Sequence, residues 1–505
     1  MKKLAVIALS SLLAVSVVGC GKASNTTAPK SSGEAKGADT SKKLTISLLA
    51  PSFAGGGWPS DNAIVQKLDE KLNIDLQIQW VPADTMAQKL NVMAASNSFP
   101  DVYWVQQNEF IKWRDKNIFM DVKPVLSQYP NLSKQITAEA LQLNNPKDKY
   151  YGLPYYIQDT RDSIAIRQDW LDKLGLKMPT TVDEFAEVAK AFATKDPDGN
   201  GQQDTSGFSF GFLNNKFTGA GPIMAAFGLG NEWIKIGDQL VNFKTQNKEM
   251  KQFVTYLNKM YQSGALDKDF ATNKVADHKD KFVANKVGIA EFVPGELLTT
   301  SFQTLKKAQP NAVIAQVIPP KGPDGKQGTT TNSMTTAKVV INNAIDKDKQ
   351  QRILKMLDYM VSDEGYDLIK NGIENVHYKS DNGKIVKLEA YDKERPQLLS
   401  IWFFRRFDPL IQMHKWEDPN LVKQLEAWNA NNAKYPWPNQ GAEVLTESQS
   451  KLGPNIDQKW IAAITKIIMG QAPVDSVDQA AADWLKNGGE QITKDVNEEY
   501  MKLKN

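Results

Sequence analysis

The chain has 505 residues and a net charge of +3, with both signs of charge interspersed. This length is too great for one hydrophobic core and predicts two lobes. The near-neutral charge argues against a nucleic-acid partner, which usually leaves a strong basic surface. Because Cys20 is the only cysteine, disulfides and cysteine-based zinc sites are excluded.

The first residues have the pattern of a secretory signal peptide. A positive amino-terminal pair precedes an uncharged apolar run over residues 4–18, shorter than the about 20 residues that span a bilayer. Small and apolar residues then lead to Cys20, as in a bacterial lipobox, although Val17 stands where leucine is commoner. The alternative is an ordinary signal peptide with an incidental cysteine. We expect residues 1–19 to be removed and Cys20 to carry a lipid such as palmitate.

Residues 20–41 are predicted to be the lipidated cysteine and a flexible tether. They are rich in Ser, Thr, Ala, Gly, Lys and Pro, and have too few large apolar side chains to fold. No later segment has the uncharged length of a membrane helix. We therefore expect a domain that starts near Lys42 and is anchored to the outer face of the membrane.

The first hundred folded residues predict a doubly wound α/β lobe. Apolar residues alternate over 44–48 and 74–80, with a helical apolar period over 64–72 between them. A helix over 84–95 and a strand over 102–105 follow. Ligands bind at the carboxyl ends of strands in such sheets. This places Trp58, after the first strand, and Trp104, at the end of the third, at a candidate ligand site.

A helix over 180–195 is predicted next, with a capping box formed by Thr181 and Glu184. The loop after it matches nine positions of a calcium loop, because oxygen-bearing side chains alternate with glycines. The bidentate acid expected at the twelfth position is replaced by Gly207. The alternative is a polar turn that binds nothing. If calcium binds, we expect a structural clip whose ligands are Asp196, Asp198, Asn200, Asp204 and the backbone carbonyl of Gln202.

The rest of the chain continues the α/β pattern. Strands are predicted over 286–292 and 338–342, and a helix over 346–361. The last hundred residues are predicted to be mostly helical.

Motifs of catalysis are absent from the sequence. The three histidines, at 278, 377 and 414, are far apart and form no metal-ligand array. No nucleophile elbow and no phosphate-binding glycine loop occur. The sequence leaves open a pair of catalytic carboxylates as in a glycosidase, since among 58 acidic residues some pair always lies at suitable spacing.

Several segments together resemble the family 1 extracellular solute-binding proteins of ABC importers. The resemblance is greatest to the branch of large lipoproteins that includes the alginate-binding proteins and the LipO-like proteins of Gram-positive bacteria, and it implies a Gram-positive source. Each motif alone is weak, and their order and spacing make the match specific. Asn375 replaces a glycine that is usual in the last of them. The segments are 99–102 (FPDV), 151–154 (YGLP), 175–185 (GLKMPTTVDEF), 191–201 (AFATKDPDGNG) and 372–378 (GIENVHY).

This resemblance implies an α/β, two-lobed periplasmic-binding-protein-like fold, with a doubly wound sheet flanked by helices in each lobe and ligand in the cleft between lobes. It implies an amino-terminal lobe of residues 42–157 and 330–385 and a carboxy-terminal lobe of 158–329 and 386–505. A calcium site in a loop like 196–204 also occurs in the alginate-binding relatives.

We expect a non-enzymatic, monomeric receptor that captures an oligosaccharide, neutral or acidic, and delivers it to the permease subunits of an ABC importer. Aromatic rings stack on sugar faces, and polar side chains bond the hydroxyl rims. For each aromatic candidate the alternative is core packing. A salt bridge is the favoured alternative for Arg405 and Arg406. The candidates for ligand contact are Trp58, Trp104, Tyr156, Trp233, Phe292, Trp402 and Arg405.

Two other functions stay open. A polysaccharide-degrading enzyme would need a carboxylate pair in the cleft, and a peptide or metabolite receptor would need charged groups for chain termini.

Overall fold

The strands form two main sheets and several two-stranded ribbons. The structure, a computed structural model, describes residues 42–52, 61–82, 85–155, 162–213, 215–274, 276–331, 337–398, 403–411 and 413–504. Its strands are β1 (Leu44–Ser52), β2 (Ile74–Pro82), β3 (Val102–Gln106), β4 (Leu153–Pro154), β5 (Ser163–Arg167), β6 (Ser206–Phe208), β7 (Gly211–Leu213), β8 (Lys216–Thr218), β9 (Trp233–Ile236), β10 (Gln239–Asn242), β11 (Val287–Phe292), β12 (Ile314–Val317), β13 (Thr329–Thr331), β14 (Ala337–Ile341), β15 (Tyr378–Asp381), β16 (Lys384–Lys387) and β17 (Pro436–Pro438).

The helices pack on the faces of the two sheets and dominate the last hundred residues, as predicted. No helix in the described ranges is long and apolar enough to cross a membrane. The helices are α1 (Ala63–Leu72), α2 (Met86–Ser96), α3 (Gln107–Trp113), α4 (Pro130–Gln135), α5 (Ala138–Gln142), α6 (Gln168–Leu174), α7 (Val182–Thr194), α8 (Gly221–Ala226), α9 (Asn247–Gln262), α10 (Asp277–Val283), α11 (Pro294–Glu296), α12 (Phe302–Ala308), α13 (Lys347–Val361), α14 (Asp363–Asn371), α15 (Glu389–Leu398), α16 (Pro419–Asn432), α17 (Glu447–Ile468), α18 (Ser476–Trp484) and α19 (Glu490–Lys504).

The first sheet has the strand order β2-β1-β3-β14-β4. β1 runs parallel to β2 and β3, and this confirms the βαβ unit predicted from the alternating apolar residues. Asn62 begins α1 by accepting a hydrogen bond from the backbone N–H of Ile64 at 2.9 Å, and Asn73 ends it in the left-handed conformation. β14 returns from late in the chain and pairs antiparallel with β3 and β4.

The second sheet has the order β12-β5-β11-β6 and is covered on both faces. β5 is antiparallel to β11 and β12, and β6 is parallel to β11. Ile164 and Ile166 of β5 face one apolar core, and Ala165 between them faces another. Such alternation buries both sides of the sheet.

Two of the predicted helices are confirmed with their apolar faces. α7 has the predicted capping box of Thr181 and Glu184, and it buries Phe185 and Phe192 against the second sheet. α13, predicted over 346–361, covers the first sheet and places four apolar side chains in that core: Ile353, Leu354, Leu357 and Met360.

Each sheet has its own core, so the predicted two-lobed α/β architecture is confirmed. The first core also contains Tyr391, Phe403 and Phe404. These residues lie beyond the boundary at 385 that the sequence analysis gives to the amino-terminal lobe. The exact lobe boundaries stay a proposal.

Candidate functional site

The candidate cleft lies where the chain crosses between the two sheets. The first crossing leaves β4 at Pro154 and reaches β5 at Ser163. On the first sheet Ala337 pairs with Gln106, so the second crossing also joins at the end where β3 finishes. On the second sheet Ser163 pairs with Phe292, the last residue of β11. The carboxyl ends of parallel strands in both sheets therefore border the crossings, where ligands bind in open α/β sheets.

On the first sheet, Trp104 and Gln107 mark this edge. Trp104 is 6% exposed, and its ring meets that of Tyr155 edge-on at 6.1 Å between centroids. The indole N–H of Trp104 has no acceptor among the described residues. The side-chain amide of Gln107 donates to the carbonyl of Ala442 at 3.3 Å and to Asn144 at 3.4 Å. The bond to Ala442 joins the two lobes directly beside the cleft edge.

In the second lobe, Trp437 is the best-placed aromatic residue, on a two-stranded ribbon apart from the second sheet. It lies on β17, which pairs with β13 just before the second crossing. The indole N–H of Trp437 donates to the carbonyl of Leu229 at 2.8 Å, and its backbone N–H donates to the hydroxyl of Thr331 at 2.9 Å. These bonds fix the indole while the side chain stays half-buried.

Polar groups gather around Trp437. A Cβ on Gly221 would lie 2.4 Å from the Thr330 hydroxyl, 3.4 Å from the Trp437 ring and 3.5 Å from a carboxylate oxygen of Glu291. Only glycine leaves room for this approach. An aromatic face, a hydroxyl and a carboxylate at one place are groups that can contact a sugar or another hydroxyl-rich solute.

Trp437 was not among the residues predicted from the sequence to contact ligand, although a signal was present. The flanking prolines, Pro436 and Pro438, keep a tryptophan out of a helix interior or a central strand. A large aromatic residue in such a segment lies near the surface, where a partly exposed ring is a candidate for contact with a ligand.

Of the other residues predicted to contact ligand, some lie outside the described residues and some are buried. Trp58, Tyr156 and Trp402 lie outside the described residues. Trp233 and Phe292 are each 1% exposed and fill the cores of the second lobe, Trp233 against Gly441 and Phe292 against Phe282. Burial favours the core-packing alternative for these two, and their contact with ligand stays a prediction.

The two arginines lie near α14. Arg406 binds Asp363 at 2.5 Å and lies over the ring of Tyr366 at 4.5 Å, as the salt-bridge alternative anticipates. Arg405 is half-buried and interacts electrostatically with the Tyr366 hydroxyl. Contact of Arg405 with ligand therefore stays a prediction.

The predicted calcium loop is closed around Asp196. Its carboxylate accepts hydrogen bonds from the backbone N–H groups of Gly199, Asn200 and Gly201 at 2.9 to 3.0 Å. Burial favours a higher pKa for Asp196, but these amides outweigh it, so the pKa lies below the ordinary value. Burial raises the pKa of Asp198, and the nearby carboxylates of Asp196 and Asp204 add to the rise.

The remaining loop oxygens are held by amides and an ammonium. The side-chain amide of Asn200 donates to Asp198 and to Asp204, both at 3.1 Å. Asn285 donates to Asp198 at 3.1 Å. The Lys286 ammonium binds Asp204 at 2.5 Å and, with the Asn200 amide, lowers the pKa of that carboxyl.

The donor types and their order fit calcium, but the loop as folded does not gather them. Across the described part of the chain, no three His, Cys, Asp or Glu side chains converge closely enough to hold a metal ion. The structure also explains the missing twelfth ligand. A Cβ on Gly207 would lie 2.1 Å from the carbonyl oxygen of Ala189 in α7, so no side chain fits there.

Sequence comparison decides the family. The family described as bacterial extracellular solute-binding protein matches residues 57–367. This chain belongs to that family.

This solute-binding protein has curated relatives over almost its whole length. It is 26% identical over 509 residues to lipoprotein LipO of Bacillus subtilis strain 168, covering 98% of this chain and 97% of the relative. It is 27% identical over 485 residues to the polygalacturonan/rhamnogalacturonan-binding protein YtcQ of the same organism. That match covers 94% of this chain and 95% of YtcQ.

Solved structures share its fold at lower identity. An extracellular solute-binding protein from Bifidobacterium longum subsp. infantis superposes with a TM-score of 0.72 at 18% identity, covering 93% of this chain and 100% of the other. The alginate-binding protein AlgQ2 without calcium ion has a TM-score of 0.66 at 19% identity and coverages of 92% and 99%. An EF-hand mutant of FusA from S. pneumoniae in complex with fructo-nystose has the same score and identity, with coverages of 91% and 99%.

Proposed function

We propose that this protein captures an oligosaccharide between its lobes and delivers it, unaltered, to the permease of an ABC importer. The observation that carries the sugar assignment is the fixed, half-buried indole of Trp437 beside Thr330 and Glu291 at the cleft edge. The saccharide ligands named for YtcQ and FusA support the same class of solute.

In the proposed complex, the sugar is bound by both stacking and hydrogen bonds. The indole of Trp437 covers an apolar C–H face of a sugar ring, while the hydroxyl of Thr330 and the carboxylate of Glu291 bond its hydroxyl rim. Trp104 adds a second aromatic surface from the opposite sheet. Binding is coupled to closure of the lobes.

Calorimetric titration of the full chain tests this function. The panel contains neutral oligosaccharides, uronic-acid oligosaccharides and short peptides, and each mixture is then analysed for products. We expect heat with at least one oligosaccharide and no product. Product formation would establish an enzyme, and binding of peptides alone would refute the sugar assignment.

A matched pair of variants locates the site. Trp437→Ala is expected to raise the Kd about 10- to 100-fold, because burial of an aromatic side chain is worth roughly 1.5–3 kcal/mol. Trp416→Ala is the control, since Trp416 is also half-buried but its described ring contacts are with Tyr378, Tyr391 and His414 instead of the groups around Trp437. Equal losses in both variants would contradict the assignment.

Lipid anchoring through Cys20 and a monomeric state complete the proposal. The name lipoprotein of the relative LipO supports the anchor. Mass spectrometry of the protein from its producing cells tests it, and an unmodified thiol on Cys20 would refute it. Light scattering of the purified chain tests the monomer, and a stable dimer would refute that part.

Calcium would be held by the loop oxygens of Asp196, Asp198, Asn200 and Asp204 and by the carbonyl of Gln202. It would supply a structural clip, and the calcium ion named for AlgQ2 and the EF-hand named for FusA support such a site in this fold. We expect calcium to raise the Tm of the chelator-treated protein. An unchanged Tm at millimolar calcium would refute the assignment.

A further inference from the structure

A short segment of the second lobe, residues 439–442, touches the first lobe beside the cleft. The side-chain amide of Gln107 donates to the backbone carbonyl of Ala442 at 3.3 Å. Gln107 follows Trp104 by three residues. Ala442 follows Trp437 by five residues. The contact, which we call the interlobe joint, therefore lies close in the chain to the aromatic residue that each lobe contributes to the proposed site.

On the first lobe, Gln107 is held in place by Asn144. The side-chain oxygen of Asn144 accepts a second bond from the Gln107 amide at 3.4 Å, and its backbone carbonyl accepts a bond from the Arg114 guanidinium at 2.6 Å. Asn144 is 3% exposed, with a φ of 60°, a left-handed conformation that asparagine adopts more readily than most residues. A buried acceptor braced in this way fixes the direction of the Gln107 amide.

On the second lobe, residues 439–442 are tied to Trp233 of β9. The side-chain oxygen of Asn439 accepts bonds from the backbone N–H groups of Trp233 at 3.3 Å and Gly441 at 3.0 Å. The backbone N–H of Gln440 donates to the carbonyl of Trp233 at 3.0 Å. A Cβ on Gly441 would lie 2.8 Å from the Trp233 ring, so only glycine fits against this buried indole. The segment is therefore fixed to the second lobe, and Trp233 supports it.

Charge acts across the same joint. Burial lowers the pKa of Lys338 and repulsion from Arg114 adds to this effect, whereas the carboxylate of Glu443 opposes it. Lys338 belongs to β14 of the first lobe, and Glu443 directly follows the segment of the second lobe. Their attraction therefore favours the same arrangement of the lobes as the bond from Gln107 to Ala442.

We propose that the interlobe joint sets the spacing between the two aromatic walls of the cleft, and that Gln107 is a positioning residue for the solute. The effect on binding rests on the function proposed above, whereas the spacing can be measured without a solute. Gln107 does not touch the sugar in this role. Its bond limits the rotation of one lobe against the other, so less freedom is lost when a sugar enters between Trp104 and Trp437.

Distances between spin labels on the two lobes test the joint in the full chain without any solute. The labels are attached at Val92→Cys on α2 and at Asp238→Cys in the turn after β9, both exposed positions. Cys20→Ser removes the only other thiol. Double electron–electron resonance should give a narrow distance distribution in this labelled parent and a broader one when Gln107→Ala is added. Equal widths would overturn the proposal.

Gln142→Ala is the matched control. The side-chain amide of Gln142 donates to the backbone carbonyls of Asn145 at 3.2 Å and Pro146 at 2.8 Å, both within the first lobe. This variant loses bonds of the same kind without changing the joint, so its distance distribution should match that of the parent. Gln107→Glu keeps the shape of the side chain but sets a carboxylate against the Ala442 carbonyl, and it should broaden the distribution at least as much as Gln107→Ala.

Calorimetry with the neutral and uronic-acid oligosaccharides of the panel tests the positioning role. For each oligosaccharide that binds the wild type, Gln107→Ala should raise the Kd about three- to tenfold, because a hydrogen bond that orders the lobes is lost. Gln142→Ala should stay within about twofold of the wild type, since its lost bonds lie inside one lobe.

Each combination of results has one meaning. A broader distribution and a raised Kd in Gln107→Ala, with neither in Gln142→Ala, support the proposal. A broader distribution with an unchanged Kd overturns the positioning role of Gln107. Equal changes in both variants overturn the joint, since a general loss of order in the first lobe would explain them. If no oligosaccharide binds the wild type, the proposed function fails, and the spin-label distances alone decide whether the joint sets the spacing.

Discussion

Replacement of Lys338 by methionine should stabilise the protein at pH 6 and lose that advantage at pH 10. Lys338 lies on β14 and is 2% exposed, with its ammonium 2.6 Å from the carbonyl of Leu143 and 4.7 Å from the ring centre of Phe110. Burial, with repulsion from Arg114, lowers its pKa from 10.5 to about 7.

The magnitude follows from the two pKa values. They differ by about 3.5, and each pH unit is worth about 1.36 kcal/mol, so the charged lysine costs about 5 kcal/mol below pH 7. Because the folded-state pKa is the lower one, the unfolded chain binds more protons between pH 7 and 10.5, and stability rises with pH there. Methionine avoids this cost but leaves the Leu143 carbonyl without its donor, a loss of about 1–3 kcal/mol.

We therefore expect the free energy of unfolding of Lys338→Met to exceed that of the wild type by about 2–4 kcal/mol at pH 6. At pH 10 the two should be equal, or the variant slightly less stable. Hydrogen exchange of peptides from β3 and β14 measures this locally, which matters because the two lobes need not unfold together. Lys338→Arg is the control and should destabilise at both pH values, since it keeps a buried charge. A Lys338→Met protein that is less stable than the wild type at pH 6 would refute desolvation as the dominant effect.

Three further predictions follow from packing and charge. Gly207→Ala should lower the free energy of unfolding by about 1–3 kcal/mol in urea titrations, because the new methyl group would lie 2.1 Å from the Ala189 carbonyl; an unchanged midpoint would contradict this. Burial, with the charge of Lys279, lowers the pKa of His278 from 6.5 to about 4, so stability is lost as pH falls from 6.5 to 4, by up to about 3 kcal/mol; His278→Gln should show a smaller loss over that interval in the same assay. Asp408→Asn should cost about 2–4 kcal/mol in chemical unfolding, because Asp408 accepts bonds from Tyr366 at 3.0 Å and Lys370 at 2.8 Å, and its loss leaves a mostly buried ammonium without its counter-charge; Asp381→Asn, on an exposed hairpin, should change little.

Local patterns in the sequence predicted the elements but not their partners. The alternation along β1 and β2 and the capping box of α7 depend on residues close in sequence, so these elements could be predicted. The partner of Trp437 in the β13–β17 ribbon is Thr330, more than a hundred residues earlier, and no local pattern reveals that pairing. This is why the best-placed aromatic residue was not among the candidates.

Burial was the other unpredictable property. Trp233 and Phe292 were chosen as aromatic residues in predicted loops or at strand ends, yet both side chains are buried in cores. A strand end has two faces, and the sequence does not show which face another helix covers. The loop was recognised from its spacing, whereas two of its neighbours are brought there only by the fold: Lys286, just before β11, which binds Asp204, and Ala189 of α7, which leaves no room for a side chain at position 207.

The two candidate sites of the second lobe lie at opposite ends of one strand. Asn285 and Lys286 directly precede β11 and bind the loop, whereas Glu291 and Phe292 end β11 at the cleft edge. At about 3.3 Å per residue, the five residues from Lys286 to Glu291 span roughly 17 Å. A cation in the loop therefore lies too far away to contact a ligand at Trp437. It would act on binding only through the rigidity of β11, whose six residues are all buried and which pairs with β5 on one side and β6 on the other. Loop and cleft are thus coupled by a strand that resists bending, which favours a stabilising role for the cation over a direct role in recognising the solute.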